Sequence, residues 1–173
     1  MVVAGPPGFC VDQQATRSGS DGGAFVLMGS CAALARDASA PQPDTPAVLT
    51  VSVSGGVADA DAMGGRMARL TRYFDTPAGR AALSRSGDPD GVEVLETRAQ
   101  DGMLYIHVSD RSGAGKGMSD TYWRVLFAVN DRLLTASLSG FADIPLPPGA
   151  GPETLGALAS RTLAETARAG AAG

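Results

Sequence analysis

The chain of 173 residues is poor in several things at once: one lysine, one histidine, one tryptophan and two cysteines. Each shortage excludes something. A net charge of -4 and a pI near 4.9 leave no basic footprint, so nucleic acid is not expected as a partner. No apolar run approaches the ~20 residues of a membrane-spanning helix. Two cysteines and one distant histidine supply too few ligands for a structural metal site, and no cofactor is expected. Histidine-based acid–base chemistry would have to use His107, and no Gly-x-Ser-x-Gly elbow offers it a nucleophile. The start at Met1 lacks a positive n-region and a long apolar h-region. Lys116 stands alone among many arginines, with abundant Ala and Gly, which reads as the coding bias of a GC-rich genome.

What is present is globular. Apolar residues make up 44% and charged residues 18%, enough for one domain over residues 1–173 with a real core. Residues 1–7 read as an extended N-terminal segment and 170–173 as a disordered tail. Strands are expected at Gly8–Asp12, Ala24–Ser30 and Ala47–Ser54. The polar stretch Gln13–Gly23 reads as a loop, and Cys31–Pro46 as a short helical turn followed by an extended loop. In the third strand Val51 and Val53 face one way, Thr50 and Ser52 the other. Asp59 or Asp61 is expected to cap a helix carrying the stripe Met63, Met67, Leu70 and Phe74. Its early turns are weakened by Gly64 and Gly65. Thr76-Pro77 restarts a helix as N-cap and first position.

Two hairpins follow. "VEVLETRA" and "MLYIHVSD" flank Asp101-Gly102, a pair suited to a type I′ turn. That turn sets Leu95 against Val108, Thr97 against Ile106 and Ala99 against Leu104 on the core side. Glu96 then faces His107, and Arg98 faces Tyr105, on the opposite side. The second hairpin turns at Asn130-Asp131 and sets Trp123, Val125 and Phe127 against Leu138, Ala136 and Leu134. Arg111–Ser119 links the hairpins. A Pro-rich stretch after Phe141 leads to a last helix over Glu153–Ala169, with Leu155, Leu158 or Ala159, Thr162 or Leu163, and Thr166 on one side. The order β-β-β-α-β-β-β-β-α is an α+β arrangement: an antiparallel sheet of about six to seven strands with two main helices packed on it.

That order, and "TYWRVLFAVNDRLLTASLSGF" before a C-terminal helix, resembles the Mog1/PsbP-like α/β/α sandwich. More closely, "GFCVD", "FDTPAGRAALSRSG" and "YWRVLFAVNDRL" resemble an uncharacterised family of exported alphaproteobacterial proteins. The resemblance implies a periplasmic or otherwise exported place in the cell envelope and implies no catalytic residue. Members of the wider fold are mostly accessory and binding proteins, and a fold does not fix a function.

Cys10 lies in the strand expected at Gly8–Asp12, and Cys31 closes the second, taken as Ala24–Cys31. If those strands pair as a hairpin, one register sets the cysteines opposite each other, and a bond would close a loop of about twenty residues. Such bonds persist in oxidising compartments. The competing reading is a pair of buried free thiols in a cytosolic protein. Other motifs fail. "FVLMGSC" lacks the leader a lipoprotein needs. "GAGKGMS" departs from a phosphate loop because Gly117, not Ser or Thr, follows Lys116. "DADAMG" departs from a calcium loop because Leu70 stands where a terminal Glu is required.

Glu96, Arg98, Tyr105 and His107 form a candidate recognition patch, or simply the outer face of a hairpin. Tyr122 and Arg124, opposite Trp123, would extend that patch or pack under the last helix. No catalytic or metal-binding residue is assigned. The expectation is a non-catalytic exported domain that binds an unidentified envelope protein. The alternative is a carrier of a small molecule or lipid, with a pocket between sheet and helix lined by Met63, Met67, Phe74 and Trp123.

Overall fold

A computed structural model describes residues 1–55, 63–113 and 117–171; the side chains of residues 63–66 also lie outside the described set. The expected caps Asp59 and Asp61, the linker residue Lys116, and residues 172–173 fall outside it. So does the side chain of Met63.

The N-terminal strands are β1 (Phe9–Val11), a two-residue β2 (Arg17–Ser18) and β3 (Ala24–Ser30). A short α1 (Cys31–Ala35) and an extended loop lead to β4 (Val48–Val53). Next come α2 (Met63–Phe74) and α3 (Pro77–Leu83). The hairpins are β5 (Val92–Gln100) with β6 (Met103–Asp110), and β7 (Met118–Val129) with β8 (Arg132–Phe141). The chain ends in α4 (Ala150–Ala171). One antiparallel sheet runs in the order β1-β3-β4-β8-β7-β6-β5, with β2 paired on β3. The fold is therefore α+β, as the alternation of apolar residues indicates.

Local chemistry accounts for the elements. Asp101 and Gly102 both hold positive φ, 52° and 73°, as a type I′ turn requires. Thr76 caps α3 by accepting a hydrogen bond from the Gly79 N–H at 3.1 Å. Gly79 is obligatory there: a Cβ would lie 1.9 Å from the Tyr73 carbonyl oxygen, where α3 turns back against α2. The second hairpin has the expected register, with Trp123, Val125 and Phe127 opposite Leu138, Ala136 and Leu134.

The sheet has two differently covered faces. α4 seals one, burying Val51, Val125, Phe127, Ala136 and Leu138 beneath Leu155, Leu158 and Ala159. Gly151 opens that contact: a Cβ there would meet the Trp123 ring at 2.1 Å. The N-terminal segment lies along the same helix. The Val2 and Ala4 N–H groups donate to the hydroxyls of Thr166 and Thr162, at 3.0 and 3.2 Å, so these buried threonines are satisfied. α4 continues to Ala171, past the tail boundary expected at 170. On the other face α2 and α3 pack Met67, Phe74 and Leu83 over Leu104, Ile106, Val108 and Leu126. They reach the β5–β6–β7 side; among the described residues the β3–β4–β8 half of that face is covered only at its Gly29 end, where Leu34 of α1 packs.

The first hairpin departs from expectation at Leu95. The pairs Thr97 with Ile106 and Ala99 with Leu104 hold, but Val94, not Leu95, is opposite Val108. Leu95 is the extra residue of a β-bulge and is 45% exposed. β5 is an edge strand, and a bulge with flanking charges blunts such an edge against further pairing. Ala99 is exposed as well.

An arginine-ended groove on the open face of the sheet

Along β3, β4 and β8 the side chains alternate strictly. Val26, Met28, Leu49, Val51, Val53, Leu134, Ala136 and Leu138 are buried on the α4 side. Their neighbours Phe25, Leu27, Thr50, Ser52, Thr135, Ser137 and Ser139 point the other way and stay partly or fully exposed. Cross-strand pairing sets Ser52 beside Thr135, and Thr50 and Arg124 on either side of Ser137. The result is a groove walled by α2 and α3 and floored by hydroxyls. One compartment of about 460 Å³ is lined by Phe25, Tyr73 and Phe74 at its apolar side. A second, of about 300 Å³, is lined by Arg85, Tyr122 and Ser139. Thr50, Arg124 and Ser137 line both, so the two adjoin at Arg124.

The basic end is built from the sheet outward. Tyr122 is buried and donates its hydroxyl to the Leu83 carbonyl at the end of α3. The Arg85 and Arg124 guanidinium carbons lie 4.9 and 5.3 Å from the centre of its ring. Arg124 Nε donates to Ser137 Oγ at 3.0 Å, and Nη1 to the Ala82 carbonyl at 3.1 Å. Arg85 Nη1 donates to the Ser119 carbonyl at 3.1 Å, and Nη2 to Ser139 Oγ at 3.4 Å. Among the described residues neither guanidinium makes an ion pair.

Arg85 is placed by Asp110. This carboxylate is fully buried and accepts from the Arg85 N–H at 2.7 Å, the Ser112 N–H at 2.9 Å and Ser112 Oγ at 2.5 Å. Burial alone would raise its pKa. The Ser112 hydroxyl, the two backbone N–H groups and the Arg85 charge outweigh that and hold it below the ordinary carboxylate value. Burial pulls the Arg124 guanidinium down; Tyr122 acts against this, while the like charge of Arg85 adds to it.

Cys10 and Cys31 form a disulfide, with Cα atoms 4.8 Å apart. They are not directly opposite, which corrects the expected register. Cys10 pairs with Gly29, and Cys31 stands two residues beyond, diagonal to it. The chain turns into α1 at Cys31, which brings the two sulfurs together across the diagonal.

The expected patch is assembled by register, since Glu96 faces His107 and Arg98 faces Tyr105. It is not an outer face. Tyr105 is buried in the core beneath α4, with the Arg98 guanidinium 5.5 Å from its ring centre. The His107 ring lies flat on Trp123, centres 4.5 Å apart. Burial lowers the His107 pKa, with the Glu96 charge acting against it. Only Glu96 and Arg98 of the four are freely exposed, because α4 occupies this side of the sheet.

Tyr122 and Arg124 neither extend that patch nor pack under α4; they are on the opposite face, under α3. The carrier pocket is also corrected. Met67 and Phe74 belong to the core beneath α2 and α3, whereas Trp123 packs on the α4 side, so the sheet itself separates them.

Arg85 is a site residue that reasoning from the sequence misses. Arg124 carries a signal: a lone cation in the apolar run "YWRVLFAV", facing Ser137 once the hairpin is registered. Arg85 carries none, because its position depends on how α3 docks.

Comparison of the chain with protein-family models, with curated proteins and with solved structures finds no match in any of the three.

Proposed function

We propose that this chain is a non-catalytic binding domain of the bacterial cell envelope, with the uncovered half of its sheet as the working surface. The observation that carries the reading is the unequal covering of the two faces. α4 and the N-terminal segment seal one, while among the described residues α2 and α3 leave most of β3, β4 and β8 open on the other, with α1 only at the Gly29 end. Aromatic rings and arginines, both present on this surface, are enriched at recognition faces. His107 is engaged in stacking on Trp123 rather than with a nucleophile, which supports a non-catalytic role. The Cys10–Cys31 bond fits an oxidising, extracytoplasmic compartment, and no described helix is long and apolar enough to cross a membrane. The likeness of "GFCVD" and "YWRVLFAVNDRL" to exported alphaproteobacterial proteins points the same way.

Photo-crosslinking in the organism that encodes the chain tests this. A benzophenone side chain at Ser52 or Thr135 is expected to capture a discrete envelope protein, and the same probe at Arg161, on the exposed side of α4, is not. Equal capture from both faces, or none from Ser52 and Thr135, overturns the protein-binding role of this face. The carrier reading is favoured by one feature, the adjacency of an aromatic and a basic compartment along one groove.

A further inference from the structure

The groove has opposite chemistries at its two ends. Phe25 and Tyr73 are 39% and 42% exposed, unusual for large rings, and both line the apolar compartment. Arg85 and Arg124 stand at the other end. Each has two hydrogen bonds to protein acceptors among the described residues, out of the five N–H donors a guanidinium carries. The carboxylate whose charge acts on both is Asp110, and its oxygens bond the Arg85 backbone and Ser112 rather than either guanidinium. Among the described residues, two guanidinium charges against one carboxylate leave an excess of about one positive charge, with Arg124 partly desolvated and Arg85 exposed beside it. A single carboxylate matches that excess and the forked geometry of arginine. A phosphate dianion overshoots it and meets the Asp110 charge as well.

We propose that the groove binds a small monocarboxylate with an apolar tail, the carboxylate held by Arg85 and Arg124 and the tail laid toward Phe25 and Tyr73. This rests on the open face being the working surface and names the class of ligand it takes. The compartment volumes, about 460 and 300 Å³, are those of small-molecule sites. The competing role for the arginines is purely structural, clamping Tyr122 and the α3 carbonyls.

Isothermal titration of the oxidised chain with octanoate, octanol, acetate and inorganic phosphate separates these. Octanoate is expected to bind at least about tenfold tighter than each of the others, since each lacks the charge, the tail, or both the tail and the matching charge. Arg85→Gln, with an unchanged circular dichroism spectrum and melting as the control for folding, is expected to weaken octanoate about tenfold and leave octanol unchanged. Phe25→Ser is expected to weaken octanoate and leave acetate unchanged. A structural role for the arginines would leave the octanoate-to-octanol ratio unmoved in Arg85→Gln. That result, octanol binding equal to octanoate, tighter binding of phosphate, or no binding of octanoate overturns the proposal. Should octanoate fail while Ser52 and Thr135 still crosslink a protein, the ligand class is wrong and the working surface stands. Should octanoate bind while neither position crosslinks a protein, the groove stands as a ligand site and the protein-binding role falls.

Discussion

Removing the Cys10–Cys31 bond by the double substitution Cys10→Ala, Cys31→Ala tests how the N-terminal strands are held. The cysteines are 21 residues apart in sequence. In the loop-entropy picture, a closure of that size withholds about 3 kcal/mol of freedom from the unfolded chain at 25 °C. β1 is a three-residue edge strand whose Phe9 is buried in the main core, so the strand can stay docked without the bond while the unfolded chain regains that freedom. Alanine is chosen because Cys31 is 9% exposed, and a serine there would add a buried hydroxyl to the cost. For a chain of this size, roughly 3 kcal/mol corresponds to a fall in Tm of about 6–12 °C. The assay is thermal unfolding followed by circular dichroism, with oxidised wild type, reduced wild type and the double variant compared at one pH and protein concentration. Reduced wild type and the double variant are expected to fall together. If both instead melt within about 2 °C of oxidised wild type, the bond constrains nothing the fold does not already hold, and the entropic explanation is wrong.

Three further outcomes are expected. Asp110→Asn should destabilise by about 1–3 kcal/mol near neutral pH, because a buried carboxylate bonded to two N–H groups and a hydroxyl is lost. The folded pKa of Asp110 lies below its unfolded value, so its contribution is full above the ordinary carboxylate range and lost as pH falls through the folded value; urea titrations at about pH 7 and about pH 3 should show the gap between wild type and variant closing at the lower pH. Leu95→Ser should change stability by less than about 0.5 kcal/mol in chemical denaturation, as the bulge predicts; a loss of about 2 kcal/mol or more would restore Leu95 to the core. Gly79→Ala should cost at least about 2 kcal/mol by the same assay, since its Cβ would overlap the Tyr73 carbonyl; a neutral substitution would deny the close approach of α2 and α3.

What the sequence makes legible is local. Asp101-Gly102 and Asn130-Asp131 each fix a hairpin, and alternation then sets most of the cross-strand pairs. Thr76-Pro77 marks a helix start through cap chemistry that needs no tertiary contact. The Leu95 bulge is not legible, because edge strands are shaped by what they must avoid as well as by what they bury. The sides taken by α4 and by α2 and α3 are not legible either, since both faces of β6 and β7 are apolar: Tyr105 and Val125 on one, Ile106 and Leu126 on the other. That choice decides which residues form a surface. It places Tyr105 and His107 beneath or beside α4, and it exposes the hydroxyl row from Thr50 to Ser139. Arg85 reaches Tyr122 only because Asp110 and Ser112 pin the end of α3, a contact between residues about twenty-five apart.

The sharpest probe of the uncovered half-sheet as a working surface is cysteine labelling across β8. Cys10 and Cys31 are both in the disulfide, so a cysteine introduced at Thr135 reports alone under non-reducing conditions. Isolated Thr135→Cys protein is expected to react readily with a maleimide, and Ala136→Cys, facing α4, to resist it. In the intact envelope of the encoding organism Thr135→Cys is expected to be shielded. Equal labelling of Thr135→Cys in the envelope and in isolation would mean that nothing covers this face, and the open half-sheet would lose its role.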